Sequence, residues 1–184
     1  MGVPGHNGGP SLEGGISWRR HCWTRAREAL LPTLPIEVGR LRVRRARELG
    51  LDYKTYASVR ASTGHDVVGF LFSSNALRIT TRQAAMPPDR AGRLAAVTGA
   101  VRIALAVGPL SPLAVMAANA GALDAAHDAP FALAQFRELR EALRAALGRI
   151  PADQVILVGD MALERDWSAA GRLAGYLSAE RYFG

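Results

Sequence analysis

Three groups of residues in this chain have types and spacing that could do chemistry. Gly159-Asp160 closes an apolar run, and Glu164 and Asp166 follow within two helical turns. Carboxylates gathered past the end of a strand are hard oxygen ligands of the kind Mg²⁺ prefers, and a cation held there would bridge to phosphate. A polar trio, Ser73-Ser74-Asn75, closes another apolar run and offers hydroxyl and amide groups to a phosphate or other ligand. The third group is larger. Between Ile16 and Ser62, ten arginines and Lys54 face only Glu28, Glu37, Glu48 and Asp52, a balance of +7 that equals the net charge of the whole 184-residue chain. Such a localised basic block is an electrostatic footprint for an anionic partner. Lys54 is the only lysine, so recognition would rest on guanidinium forks, which match phosphate and carboxylate geometry.

The elements that must position these groups follow from breakers and periodicity. Residues 1–15 are rich in Gly and Pro and lack a hydrophobic stretch, which reads as a disordered tail without a signal peptide. Residues 16–62 read as a basic helical element. A helix over Trp18–Leu31 is closed by Pro32 and Pro35, a second runs over Ile36–Leu49 to Gly50, and Asp52 caps a third over Tyr53–Ala61 that ends at Gly64. Residues 63–184 alternate apolar runs with helical stretches. The runs are Val67–Phe72, Arg102–Val107 and Gln154–Val158; the helices are Pro87–Val97, Pro112–Ala120, Pro130–Leu147 and Ala162–Leu177. Continuous apolar strands suit a parallel sheet covered on both faces. The expected fold is therefore α/β, a small three-layer Rossmann-like body with a mostly parallel sheet, in which a fourth strand is hidden or supplied by a partner.

Within the basic element, Ala46, Gly50, Tyr56 and Val59 fall near the spacing of a small residue, a turn glycine and two packing residues. The segment RRARELGLDYKTYASVR thus resembles a helix-turn-helix over about twenty residues. That resemblance implies a recognition helix exposing Lys54, Thr55, Ser58 and Arg60, with Arg40, Arg42, Arg44 and Arg45 supplying phosphate contacts. The alternative is a basic hairpin that packs on the α/β body and shows its arginines to water.

The C-terminal segment FRELREALRAALGRIPADQVILVGDMALERDWSAAGRLAGY resembles the last motif of haloacid-dehalogenase-like hydrolases. In that family a helix, a Pro-containing turn and an apolar strand end in Gly-Asp, followed by a second acid and a small-residue-rich helix. The resemblance implies Asp160 with Glu164 or Asp166 as Mg²⁺ ligands, and VVGFLFSSN as the strand presenting a phosphate-contacting Ser73 or Ser74. The pattern is incomplete. The family's Asp-x-Asp nucleophile belongs on an early strand, and Leu51-Asp52-Tyr53-Lys54-Thr55 follows no strand and puts Lys54 at the second acid. No lysine stands where the family binds phosphate. The spacing from Asp160 to Asp166 is one residue longer than usual.

The remaining candidates have simpler explanations. His21-Cys22 are adjacent and diverge on a helix. His65-Asp66 lies near Ser73, yet the chain has no Gly-x-Ser-x-Gly elbow. His6 and His127 lack partners at metal-ligand spacing, and no phosphate loop is present. One cysteine, Cys22, excludes an internal disulfide and fits a cytoplasmic setting. No apolar run approaches the roughly 18 residues of a membrane span. The expectation is a binding protein without catalytic residues, docking nucleic acid or another polyanion. A divergent phosphohydrolase-like protein is the alternative, and a module meeting an acidic protein or a second copy of itself is the third.

Overall fold

The computed structural model describes residues 35–131 and 133–184. The expected tail and the helix over Trp18–Leu31 lie outside the described residues. Residues 40–184 form one compact unit, and residues 1–39 are a second of which only the start of one helix is described. The elements are α1 (Ile36–Glu48), α2 (Tyr53–Thr63), β1 (Gly69–Ser73), α3 (Pro88–Ala95), β2 (Val101–Ala106), α4 (Pro112–Ala118) and β3 (Ala125–Asp128). Then come α5 (Phe136–Leu147), a 3₁₀ turn (Ala152–Gln154), β4 (Val155–Gly159), α6 (Ala162–Gly171), β5 (Gly175–Ser178) and α7 (Ala179–Phe183).

All five strands run parallel in the order β3-β2-β1-β4-β5. β1 is the centre: Gly69 pairs with Val101 on one side and Val155 on the other. Strand alternation then sorts the core into two layers. Phe70, Phe72, Ala104, Ala106, Ile156, Val158 and Leu177 face one side, where they pack with Ala46, Leu49, Tyr56, Leu94, Val115 and Tyr182 from α1, α2, α3, α4 and α7 and the turn after α1. Leu71, Ile103, Leu105, Val155 and Leu157 face the other, against Leu139, Leu143, Leu147, Trp167 and Ala170 of α5 and α6. Every residue of β1 and β4 is buried, which is why these strands read as unbroken apolar runs. The expected three-layer α/β body is present, and its sheet is entirely parallel.

Two strands differ from the sequence expectation. β3 reads Ala-Ala-His-Asp at the sheet edge and carries no apolar run. β5 falls inside the stretch expected as one helix to Leu177. That helix stops at Gly171, because Arg172 takes a left-handed φ of 53° and Leu173 N–H returns to the Ser168 carbonyl at 3.0 Å. Likewise α5 begins at Phe136 rather than Pro130, where the Glu138 carboxylate accepts the Gln135 N–H at 2.9 Å. The α1–α2 turn follows the expected chemistry. Gly50 holds a φ of 67°, Asp52 Oδ1 accepts Thr55 N–H at 2.8 Å, and Gly64 ends α2 with a φ of 76°.

Candidate functional site

Parallel strands bring all their carboxyl ends to one edge. β1 and β4 are neighbours there, and the segments leaving them diverge: α3 covers one face, through Leu94, and α6 covers the other, through Trp167. This is the topological switch point, where open α/β sheets bind ligands. The structure places Ser73, Ser74 and Asn75 just at the end of β1, and Asp160 just past β4, at that same edge.

Their side chains are engaged with one another and with the backbone. Ser73 and Ser74 are fully buried; Ser73 Oγ accepts Ala76 N–H at 3.1 Å, and Ser74 Oγ accepts Val107 N–H at 3.1 Å. The two hydroxyls shape the turn and tie β1 to the end of β2, rather than facing a ligand. Asn75 Nδ2 donates to Glu164 Oε1 at 2.8 Å. The other carboxylate oxygen, Glu164 Oε2, accepts the backbone N–H groups of Asp160 at 2.6 Å and Met161 at 3.1 Å. Glu164 is 1% exposed, so it stands as a buried carboxylate satisfied by three donors at the start of α6, where the helix dipole also favours negative charge. Gly159 makes room for it: a Cβ there would lie 2.6 Å from Glu164 Oε2 and 2.8 Å from the Tyr176 ring. Burial, then the Glu164 carboxylate, pushes the Tyr176 phenol above its ordinary pKa. The expected ligand trio is thereby divided, with Glu164 turned inward and Asp160 and Asp166 exposed. Among the described residues, no three His, Cys, Asp or Glu side chains are grouped to hold a metal ion.

Beside this knot lies a crevice of about 240 Å³, lined by Arg78, Asp89, Arg90, Asp160, Glu180 and Phe183 among others. Of these only Asp160 is legible as a site residue in the sequence. Arg78 and Arg90 sit in the turn after β1 and in the first turn of α3, and no motif marks them.

The basic residues divide into two sets. Arg45 is internal: Nε donates to Asp66 Oδ2 at 3.0 Å, Nη1 to Glu48 Oε2 at 3.2 Å and the Thr98 carbonyl at 3.1 Å, and Nη2 to the Val67 and Gly99 carbonyls at 3.0 and 2.8 Å. All five guanidinium donors are used, clamping α1 to the amino-terminal ends of β1 and β2. Its partner Asp66 is held below the usual carboxylate range: burial opposes ionisation, but the Tyr56 hydroxyl and Arg45 outweigh it. Thr55 is buried, bonded to Asp52 and to Arg181 Nη2, the latter at 2.7 Å. Arg60 Nη1 lies 3.5 Å from Tyr56 Oη and 3.9 Å from Asp66 Oδ1. Arg45 and Thr55 therefore hold the fold together, while Arg60 makes only these two longer contacts and stays about a third exposed. Arg42 is half-buried. Arg40, Arg44, Arg47, Lys54 and Ser58 are exposed. Arg47 and Arg93 also wall a groove of about 370 Å³ at the α1–α2 turn, and Arg93 Nε is buried there without a hydrogen-bond partner.

The His65-Asp66 pair cannot join Ser73, because it precedes β1 and Ser73 ends it. His65 instead meets Asp153, 3.5 Å away. Among the described residues no helix is long and apolar enough to cross a membrane. No family model matches the chain, and neither a curated protein nor a solved structure matches it.

Proposed function

We propose that the protein is a non-catalytic binding protein that docks a polyanion, most simply nucleic acid, on the exposed arginine stripe of α1. One observation carries this reading. Arg40, Arg44 and Arg47 fall at i, i+4 and i+7, on one exposed helix face, while Arg45 between them is turned into the body. Arg93, half-buried and donating Nη2 to the Gly50 carbonyl at 3.2 Å, borders the same groove as Arg47, and exposed Lys54 lies just past the turn. The stripe stands on a rigid platform, because Ala46 and Leu49 of the same segment are buried in the core.

The test is a titration of labelled duplex and single-stranded nucleic acid with the full chain at several salt concentrations. Each neutralised duplex phosphate contributes a log–log slope of about −0.9, so three arginines give about −2.7, or a loss near forty-fold between roughly 50 and 200 mM salt. Replacing Arg40, Arg44 and Arg47 together by Glu abolishes binding with the fold intact. Absence of binding at low salt, or binding that survives the triple substitution, refutes the proposal.

A second reading keeps the haloacid-dehalogenase-like resemblance, and the shared edge of Asp160 and β1 favours it. β1 is the first described strand and lies at the centre of the sheet, so under this reading its end takes the place of that family's Asp-x-Asp rather than of the Ser-presenting strand that the resemblance implied. Here the chain reads Ser73-Ser74-Asn75, and Asn75 bonds Glu164. Under this reading the layers are retained and the acids exchanged. Turnover of a general phosphatase substrate with Mg²⁺, lost in Asp160→Asn, would move the protein back among hydrolases.

A further inference from the structure

Arg90 carries a charge that no hydrogen bond or ion pair among the described residues answers. It sits in the first turn of α3, is 8% exposed, and its Nη1 is buried without a hydrogen-bond partner. Among the described residues it makes no hydrogen bond or ion pair. Its guanidinium lies over the Phe183 ring, 4.5 Å from the centroid. A ring face attracts a cation but supplies no acceptor in the guanidinium plane. Buried charges are ordinarily paired, and an unpaired one is costly to keep. Burial, then the neighbouring charge of Arg78, lowers its pKa, and the Asp89 and Asp160 carboxylates only partly offset them.

The crevice that Arg90 lines lies at the carboxyl ends of β1, β4 and β5, and it is charged in both senses. Arg78 and Arg90 are its cations; Asp89, Asp160 and Glu180 are its anions. Arg78 belongs to the β1–α3 connection, in a left-handed conformation with φ 55°. An oxyanion would supply the acceptors Arg90 lacks. A dianion alone would face three carboxylates, so the rest of the ligand must be positive. At about 240 Å³ the crevice holds a molecule of amino-acid size, below the range of drug-sized ligand pockets.

We propose that this crevice binds a small zwitterion, with its carboxylate or phosphate group on Arg90 and Arg78 and its amine among Asp89, Asp160 and Glu180. The site is independent of the arginine stripe on α1 and stands whether or not a polyanion docks there.

The test is a titration of the full chain with four probes, read by nuclear magnetic resonance at the arginine Nε–H groups and backbone amides. β-Alanine and phosphoethanolamine carry both charges; inorganic phosphate and ethanolamine carry one each. At least one zwitterion should saturate by about 10 mM, shift Arg90 Nε–H and the Asp160 amide, and bind about tenfold or more tightly than either single-charge probe. Which of the two binds better assigns the oxyanion as carboxylate or phosphate. Arg90→Met should abolish binding and raise the thermal midpoint, because an unanswered buried charge is removed. Should Arg90→Met fail to fold, Asp160→Asn at an exposed position carries the test, weakening the zwitterion while leaving inorganic phosphate unchanged. No saturable binding of either zwitterion, equal affinity for phosphate alone, or affinity unmoved by Asp160→Asn overturns the proposal.

Discussion

Asn75→Asp would place a second carboxylate against Glu164 where an amide now donates across 2.8 Å. Glu164 is 1% exposed, so water does little to screen the pair. Two unit charges about 4 Å apart at an effective dielectric near 20 repel by about 4 kcal/mol. The folded protein can escape by holding a proton, which at pH 7 costs a carboxyl of ordinary pKa about the same. The expected destabilisation is therefore about 3–5 kcal/mol at pH 7. Its pH dependence is the distinguishing mark. The folded variant binds a proton that the unfolded chain releases near pH 4, so stability is present below that value and lost as pH rises through the raised folded pKa. The loss proceeds at up to about 1.4 kcal/mol per pH unit, and the deficit shrinks by about 2–3 kcal/mol at pH 5. Urea unfolding followed by tryptophan fluorescence, to which buried Trp167 contributes, measures both quantities. Asn75→Ala loses a hydrogen bond without acquiring the pH slope. If Asn75→Asp costs less than about 0.5 kcal/mol and is insensitive to pH, the Asn75–Glu164 contact does not organise the switch point and the reasoning fails.

Arg45→Met should cost about 2–4 kcal/mol in the same assay, because it strips two carboxylates and three carbonyls of their donor. Arg44→Met, whose side chain is 71% exposed and 3.9 Å from Glu48, should stay within about 0.5 kcal/mol; equal effects would contradict the division of the basic block. The hydrogen bonds from Arg102 hold the Asp124 carboxyl below its usual range, so its contribution is present above the unfolded pKa and is lost as acid protonates it below about pH 4. Thermal midpoints should accordingly fall less steeply in acid for Asp124→Asn. Burial pushes the Tyr182 phenol up to about 12 from 10.0, so its contribution is complete below pH 10 and lost toward pH 12, about 2–3 kcal/mol in all. Tyr182→Phe should remove that alkaline loss, and an unchanged alkaline limb would show that the phenol is not buried as described.

Much of the framework is legible in the sequence for a simple reason. β1, β2 and β4 lie in the middle of the sheet, so their burial on both sides writes itself as apolar runs. β3 and β5 are the edges; Ala125–Asp128 and Gly175–Ser178 are half-buried and short, and neither composition nor periodicity distinguishes them from loops. The Asp52 cap and the Gly50 and Gly64 turns are legible because the chemistry is local. The candidate sites are less so. Asp160 is placed at the right edge by its position after an apolar run; Glu164 three residues past Met161 is a local capping signal, but its third donor, Asn75, is 89 residues away. Arg44 and Arg45 are adjacent and identical in type, yet one faces water and the other clamps two strands. Residue type carries charge into a segment, and the tertiary face decides what the charge does. Arg78 and Arg90 escape notice for the same reason.

The central place of β1 has a consequence for how the chain is made. Both neighbours of this strand come later in sequence, and Gly69 cannot meet Val155 until the ribosome has added the 86 residues from 70 to 155. At about 5–20 residues per second that interval is roughly 4 to 17 s. During it, Phe70, Leu71 and Phe72, all wholly buried in the finished protein, present an open parallel edge on the side β4 will occupy. Non-local parallel pairing is slow to form and exposes sticky intermediates. Chains truncated between β2 and β4 should therefore be chaperone-bound or insoluble, and synthesis that pauses before residue 155 should lower the yield of native protein even though no native contact has changed.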